Sequence, residues 1–462
     1  MEDPLSDVET ELSCESARAM VLRKVYVEAF GCQMNFLDGE LAVSRLSEHG
    51  WARTADPEDA DLILFNTCSI RDQSENRVWS RLGALRPRKE RDPGLLIGIM
   101  GCMAQRDAES ILRRMPHVDL VCGTRRFHEM HTLVERAETE GQVIAIETDG
   151  FVDIVRDVRV RPQRHRAYVS VMRGCDHKCS YCIVPTTRGV QTDRPFEDVI
   201  DEVQRLAEDG VREVTFLGQN INTYGRYLPG RPTLGDAIRA ADRIDGIDRI
   251  RFLTSNPMDI RDELLAAMAE TPSAAGYLHF PAQHGHSDVL RRMFRGYSRE
   301  RYLEVCAKAR ELCPGIELAT DLIVGFPGET EAEFEATRSL MEEVRFKQIY
   351  VFKYSPRPGT AAVEQYVDDV SDQMKRERKN ELLALQDSIS VERNQALVGT
   401  QIRVLVDGPS PRNAARLSGR AEGQHMVILD GSPDLAGEFV TVCVERATAA
   451  ALYGVVIPET EV

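Results

Sequence analysis

Six cysteines stand where cysteine can do chemistry. Cys175, Cys179 and Cys182 lie in RGCDHKCSYCIVP (173–185), a CxxxCxxC run with no fourth cysteine following. Metal sites built from cysteine alone usually use four thiolates, for zinc or for an iron–sulfur cluster. This spacing lets one loop curl around a cube-shaped cluster and reach three of its corners. The fourth iron then lacks a protein ligand and is open to a small molecule. That suits an enzyme that must pass an electron directly into a bound substrate. Zinc is the competing reading, with His177 inside the loop as a candidate fourth ligand. Three structural cysteines without metal are disfavoured, because exposed thiols on a loop are prone to oxidation.

Cys32, Cys68 and Cys102 are far apart in sequence but share a context: each follows an apolar strand pattern, VEAFGC, LILFNTC and IGIMGC. In a parallel sheet the C-terminal strand ends lie along one edge, where ligands bind. Three cysteines at three such ends can converge on one point and form a second three-thiolate site. The alternative is that they are small buried apolar residues. Cys122, in HVDLVCG, also ends a strand pattern, so it is a candidate fourth ligand or a core residue. Cys306 and Cys313 fall on a helical pattern, Cys443 in a β-rich segment and Cys14 near the start; none is assigned a role.

The elements that must position these cysteines alternate. Residues 23–140 run KVYVEAF, a helical pattern from Asp38 to His49, DLILFN, a second helix, LLIGIM, a third, then HVDLVCG and a fourth. Short apolar strands alternating with helices predict an α/β fold, here a doubly wound parallel sheet covered on both faces. A basic stretch within 141–166 reads as a linker. From AYVSVMRG the alternation resumes over 167–396, with strands near REVTFLG, RIRFLTS, GYLHF, IELATDLIVGF and KQIYVFKYS. About six βα units predict a partial β/α barrel, with the CxxxCxxC run on its C-terminal rim. A long charged helix over 368–396 ends it. Residues 397–460 turn β-rich with intervening glycines and predict a small antiparallel barrel of a kind that often touches RNA.

The chain has 462 residues, 42% apolar and 29% charged, with a net charge of −16. That size implies several domains. The acidity argues against broad non-specific nucleic-acid binding but not against a local basic groove. Eleven cysteines, odd in number and unevenly spaced, do not read as a disulfide framework. Residues 1–22 read as a disordered acidic tail rather than a targeting peptide. No apolar run is long enough to span a bilayer, so a cytoplasmic protein is expected.

With these residues in view, the sequence resembles the radical S-adenosylmethionine (SAM) enzymes, whose signature is CxxxCxΦC; Tyr181 fills the aromatic place. Further, GCQMN (31–35), NTCSIR (66–71), GCMAQR (101–106), LGQNIN (217–222), DLIVGFPGET (321–330) and SPRPGTAA (355–362) together resemble the methylthiotransferase family. The resemblance runs from about Arg23 to the end, where the small β unit looks like that family's TRAM domain. GCQMN and LGQNIN are most similar to the branch acting on isopentenylated adenosine beside the tRNA anticodon. Sister branches act on threonylcarbamoyl adenosine or on a ribosomal-protein aspartate.

The resemblance implies two [4Fe-4S] clusters, one on Cys175, Cys179 and Cys182 and one on Cys32, Cys68 and Cys102. It implies S-adenosyl-L-methionine as both radical source and methyl donor. A 5′-deoxyadenosyl radical would remove hydrogen from C2 of the adenine, and a methylthio group from the second cluster would take its place. Implied partners are a tRNA anticodon stem-loop and an external electron donor such as flavodoxin or ferredoxin, with the enzyme a monomer. Tyr181, Gly218, Gln219, Asn220 and Gly325 are the candidate SAM contacts, although glycines there also serve turns and Asn or Gln can cap helices. The family pattern is departed from at Gln191, Asp193, Asn256, His284 and His286, which puts carried-over substrate contacts in question. Candidate phosphate-tracking stretches are RPRKERD (86–92), the linker and RRMFRGYSRER (291–301). The small β unit carries more acids than arginines, which keeps the ribosomal-protein alternative open. The outside alternative is a non-catalytic iron–sulfur electron carrier.

Overall fold

The computed structural model describes residues 22–69, 72–147 and 155–457. Most of the acidic tail, with Cys14, and the 148–154 part of the linker lie outside the described residues. The first unit is a six-stranded parallel sheet in the order Trp51–Arg53, Arg23–Phe30, Leu62–Thr67, Leu96–Gly101, Leu120–Cys122, Val143–Ala145. Leu62–Thr67 and Leu96–Gly101 are buried along their whole length. Apolar cores on both faces of the sheet explain why these strands are continuously apolar rather than alternating. The strand order reverses between Arg23–Phe30 and Leu62–Thr67, which makes their C-terminal ends the switch point where such sheets bind ligands.

Two expectations need correction here. The first helix is Gln33–Ser47 rather than Asp38 to His49, so it begins directly after Cys32 at its N-cap. The first unit does not end at 140, because Val143–Ala145 pairs with Leu120–Cys122 as an edge strand. Three residues are too few to show periodicity in the sequence.

The central unit holds Arg166–Ser170, Glu213–Leu217 and Arg249–Phe252 in one parallel sheet and Tyr277–His279, Glu317–Val324 and Gln348–Lys353 in another. A parallel bridge between Ile250 and Ala274 links the two. Among the described residues no ladder joins Gln348–Lys353 back to Arg166–Ser170, so the six strands form an open arc, a partial β/α barrel. A single large core fills it, and the helix Asp372–Gln395 closes the unit.

Five strands, Gln401–Ser410, Asn413–Ala421, Met426–Asp430, Phe439–Ala447 and Leu452–Ile457, close the C-terminal barrel. The pairing of Met426–Asp430 with Leu452–Ile457 is parallel, against the expectation of an all-antiparallel barrel. The chain crosses the barrel to lay Phe439–Ala447 beside the first strand, so the last strand returns to fill the remaining gap in that direction. Closure leaves no exposed strand edge.

This small barrel docks on the N-terminal ends of the central strands, away from the cysteines. Glu213 accepts from Arg249 (3.2 Å) and Arg251 (3.0 Å), all three side chains under 5% exposed. The two arginines then donate to barrel carbonyls: Arg251 to Ala421 and Glu422, Arg249 to Arg420. Arg403 and Arg249 lie over the Phe439 ring, at 4.1 and 4.6 Å from its centre.

Candidate functional site

The CxxxCxxC loop leaves the central sheet just after Met172–Arg173. Gly174 turns it at φ +73°, where a Cβ would collide with the Val190 and Gly189 carbonyls. Cys175 N–H then donates to Gly189 O (3.1 Å), and Cys182 N–H to Cys179 O (3.0 Å), fixing the curl of the loop. Ser180 anchors its middle, with N–H to Met293 O and Oγ to Arg292 O (2.8 Å). Ala362, from SPRPGTAA, donates to Ser180 O (2.7 Å). Arg295 Nη1 donates to Cys179 Sγ at 3.2 Å, a cation beside a prospective thiolate. Burial raises the Cys175 thiol and pushes Cys182 up to about 12.

The rim around this loop is a connected polar network. Gln219 Oε1 accepts from Gly174 N–H (2.5 Å). Asn220 Nδ2 donates to Asp259 Oδ2 (2.7 Å), and His177 Nε2 meets the same oxygen at 2.6 Å. The Nε2 atom of His177 is therefore engaged by a carboxylate. Burial works against the Asp259 charge, but the His177 and Asn220 bonds hold its carboxyl below the usual range. Tyr181 packs on the apolar cluster of Met293, Phe326 and Tyr354. Both candidate glycines also have a steric reason: a Cβ on Gly218 would meet Met172, and one on Gly325, at φ +70°, would meet Lys375.

The positions that depart from the family pattern take local roles. Gln191 donates to Asp193 (2.8 Å) and to Thr223 O (2.8 Å), tying the segment after the cysteines to the LGQNIN loop. Asn256 and His286 cap short helices through their side chains. His284 Nε2 lies 2.8 Å from Glu329, both fully buried, and burial lowers the His284 pKa.

Cys32, Cys68 and Cys102 follow three adjacent strands and come together at the switch point. Gly31 (φ +131°) is required because a Cβ there would collide with Cys68; Gly101 (φ +95°) is required because one there would collide with Asn66. Beneath the thiols, buried Asn35 and Asn66 clasp each other, Asn35 Nδ2 to Asn66 Oδ1 at 3.0 Å and Asn66 Nδ2 to Asn35 O at 2.7 Å. Cys32 Sγ donates to Asn35 Oδ1 (3.1 Å). A hydrogen bond with Cys68 brings the Cys32 thiol down to about 6; burial opposes this and Arg188 assists it. Burial raises Cys102, with Arg188 acting against the rise. Cys122 lies apart from this edge, in the apolar core.

No described cysteine is in a disulfide. No three His, Cys, Asp or Glu side chains among the described residues stand in the close array of a single metal ion. The fit to iron–sulfur clusters rests on the donor set and its cradle. Each trio is all thiol, Arg295 donates to a thiol of one, the charge of Arg188 favours thiolates in the other, and glycines clear the space at the second.

Buried ion pairs tie the segments that carry the two trios. Asp38, fully buried, joins Arg173 (3.0 Å) and Arg188 (2.7 Å) from the far side. Arg156 bridges Glu40 (2.6 Å) and Glu202 (2.7 Å) across the same boundary, and Glu75 bridges Arg106 (3.1 Å) and Arg357 (3.2 Å). Asp38, Arg188 and Arg295 were not legible as site residues, because single charged residues carry no spacing signal.

The basic stretches expected to track phosphates are largely engaged within the fold. Lys89 pairs with Asp119, Arg156 with Glu40 and buried Glu202, Arg161 with Asp209, Arg292 with Glu333 and Arg299 with Glu343.

Three family models match the chain: the Radical SAM superfamily over 169–341, the TRAM domain over 395–457 and the Uncharacterized protein family UPF0004 over 24–123. A tRNA-2-methylthio-N(6)-dimethylallyladenosine synthase of Geobacter metallireducens is 44% identical over 435 residues, 93% of this chain and 97% of that protein. Its namesake from Akkermansia muciniphila is 40% identical, covering 94% of this chain and 99% of that protein. Among solved structures, the radical SAM methyltransferase TsrM from Kitasatospora setae covers 74% of each chain with TM-score 0.53 at 14% identity, a likeness of fold. This chain belongs to the radical SAM methylthiotransferase family, among the tRNA-2-methylthio-N(6)-dimethylallyladenosine synthases.

Proposed function

We propose that this enzyme converts N6-isopentenyladenosine beside the tRNA anticodon into its 2-methylthio derivative. The observation that carries the reading is the near full-length similarity to synthases of that name; the buried Asp38 ion pairs that tie the segments bearing the two cysteine trios support it. An aromatic C2–H has no proton acidic enough for a general base, so a radical route is the physically sensible one.

Membership of the radical SAM superfamily implies a [4Fe-4S] cluster and S-adenosylmethionine. Cys175, Cys179 and Cys182 would hold that cluster, and Cys32, Cys68 and Cys102 a second. When bound, the clusters would supply one electron for cleaving S-adenosylmethionine and a methylthio sulfur at an open iron. The chain's own work is placement. Gly174, Ser180 and Arg295 fix the loop; Tyr181, Gly218, Gln219, Asn220 and Gly325 line the ends of the strands beside it and are the proposed SAM contacts. The Asp38 and Glu75 bridges hold the two sites in register and shield the space between them from water.

The adenosine sits in a hairpin loop, where a base can be splayed into a pocket at lower cost than from a duplex. The TRAM barrel would contact the RNA away from the cysteine rim, since it docks on the opposite strand ends. An external donor such as flavodoxin or ferredoxin would supply electrons. No helix of the described residues is long and apolar enough to cross a membrane; we place the enzyme in the cytoplasm, as a monomer.

The test is mass spectrometry of nucleosides from isopentenylated tRNA after incubation with reconstituted enzyme, S-adenosylmethionine and a reductant. A methylthio isopentenyl nucleoside is expected. Its absence, with methylthiolation instead of threonylcarbamoyl tRNA or of a ribosomal protein, would overturn the substrate.

A further inference from the structure

One buried cation lies between the two trios and has no part in the chemistry described so far. Arg188 ends the short helix Val184–Arg188 that follows Cys182. Its side chain is 4% exposed and bonds Asp38 Oδ2 at 2.7 Å. The helix that Arg188 ends packs against the helix that Cys102 begins, and its positive charge favours the thiolates of Cys102 and Cys32. Asp38 lies on the helix capped by Cys32 and gives its second oxygen to Arg173, two residues before Cys175.

Burying ionised groups is costly, and a buried pair alone is weak evidence for added stability. This arrangement has a feature that simple stabilisation does not need. One carboxylate divides its charge between two guanidinium groups, so Arg188 keeps positive charge to present on its other side. On that side lies the start of the helix that Cys102 opens, at the sheet edge that carries the second trio.

We propose that Arg188, oriented by Asp38, is a positioning residue that sets the reduction potential of the cluster held by Cys32, Cys68 and Cys102. The proposal rests on the two-cluster reading. Cluster potentials respond to local charge and to hydrogen bonds at sulfur. A fixed cation stabilises the reduced form, which carries one more negative charge, so it raises the potential. Because Arg188 belongs to the segment that carries the other trio, the second cluster would be tuned only when the two units are docked.

The test uses the full chain with Cys175, Cys179 and Cys182 all changed to Ala, so that only the second trio can hold iron. After anaerobic reconstitution, iron and sulfide are counted and the cluster is titrated redox-wise, followed by electron paramagnetic resonance. In this background Arg188→Gln is expected to keep its iron. Its reduced-to-oxidised ratio at a fixed potential should fall about tenfold, a downward shift of about 59 mV for a one-electron couple. Arg188→Lys should recover most of that shift. Asp38→Asn should move the potential the other way, because it frees the arginine's charge. Opposite shifts from the two partners are a signature that a merely structural clamp would not give. Superimposable titrations at equal iron content overturn the proposal. So does loss of iron in both the Gln and Asn variants, since that makes the pair a holder of the cluster rather than its tuner. A background protein that takes up no iron overturns the two-cluster reading itself, an outcome visible before any arginine is changed.

Discussion

At the C-terminal ends of the central strands, Arg173 and Arg188 share Asp38 within reach of cysteine thiols. At the N-terminal ends, Arg249 and Arg251 share Glu213 and direct further donors at carbonyls of the small barrel. Both seams bury a carboxylate against guanidinium groups: Asp38 gives one oxygen to each of two, whereas Glu213 gives one oxygen to Arg249 and Arg251 while Arg166 lies 3.9 Å from the other. They differ in what the arginines meet next. Backbone carbonyls are permanent partners, so the lower seam fixes one domain on another. Thiols change charge when they take a metal, so on the proposal above the upper seam would influence what the cysteines hold. The same kind of buried ion pair is thus architecture at one end and, on the reading proposed above, part of the site at the other.

The comparison can be broken most severely at the upper end. Cys179→Ala removes a thiol that Arg295 contacts, and is expected to abolish 5′-deoxyadenosine formation in an anaerobic assay. Survival of that product would separate the CxxxCxxC loop from radical generation. At the lower end, Arg251→Ala leaves Glu213 short of a partner and takes a donor from each of two barrel carbonyls. A loss of about 3–5 kcal/mol is expected in thermal or denaturant unfolding. The iron content per folded molecule should not change, which is how the two seams differ.

A pH dependence sharpens the lower seam. His425, near Glu317 at 3.9 Å, has its pKa lowered to about 3 by burial, with Lys347 and Arg393 adding to the effect. The folded state therefore disfavours the protonated ring. Its contribution is fully present above the unfolded value of about 6.5. As pH falls from there toward 3, the chain should lose about 1.4 kcal/mol per unit from this group. Subtracting the profile of His425→Gln isolates the effect; parallel profiles would contradict it. The smallest change belongs to neither seam. Thr330 forms a capping box with Glu333, so Thr330→Ala should cost about 1 kcal/mol of stability and leave cluster content alone.

The sequence made the cysteines legible because their contexts repeat. CxxxCxxC has a fixed spacing, and GC or TC after an apolar strand occurs three times. The continuous burial of Leu62–Thr67 and Leu96–Gly101 made the doubly wound sheet readable in the same way. Val143–Ala145 and Asn413–Ala421 were harder. The first is too short for periodicity, and the second begins with exposed residues and carries two arginines. Asp38 and Arg188 are 150 residues apart and signal nothing until folding joins them. The basic stretches are only half legible: charge density is visible in sequence, but the acids that neutralise part of it, such as Asp119 and Glu333, come from elsewhere in the chain.

The central claim is that two three-cysteine sites serve one reaction. Its most direct test is to incubate reconstituted Cys102→Ala with isopentenylated tRNA, S-adenosylmethionine and a reductant, and to measure 5′-deoxyadenosine and modified nucleosides together. The account predicts that 5′-deoxyadenosine still forms while no methylthio nucleoside appears. A methylthio product at the wild-type level would contradict it.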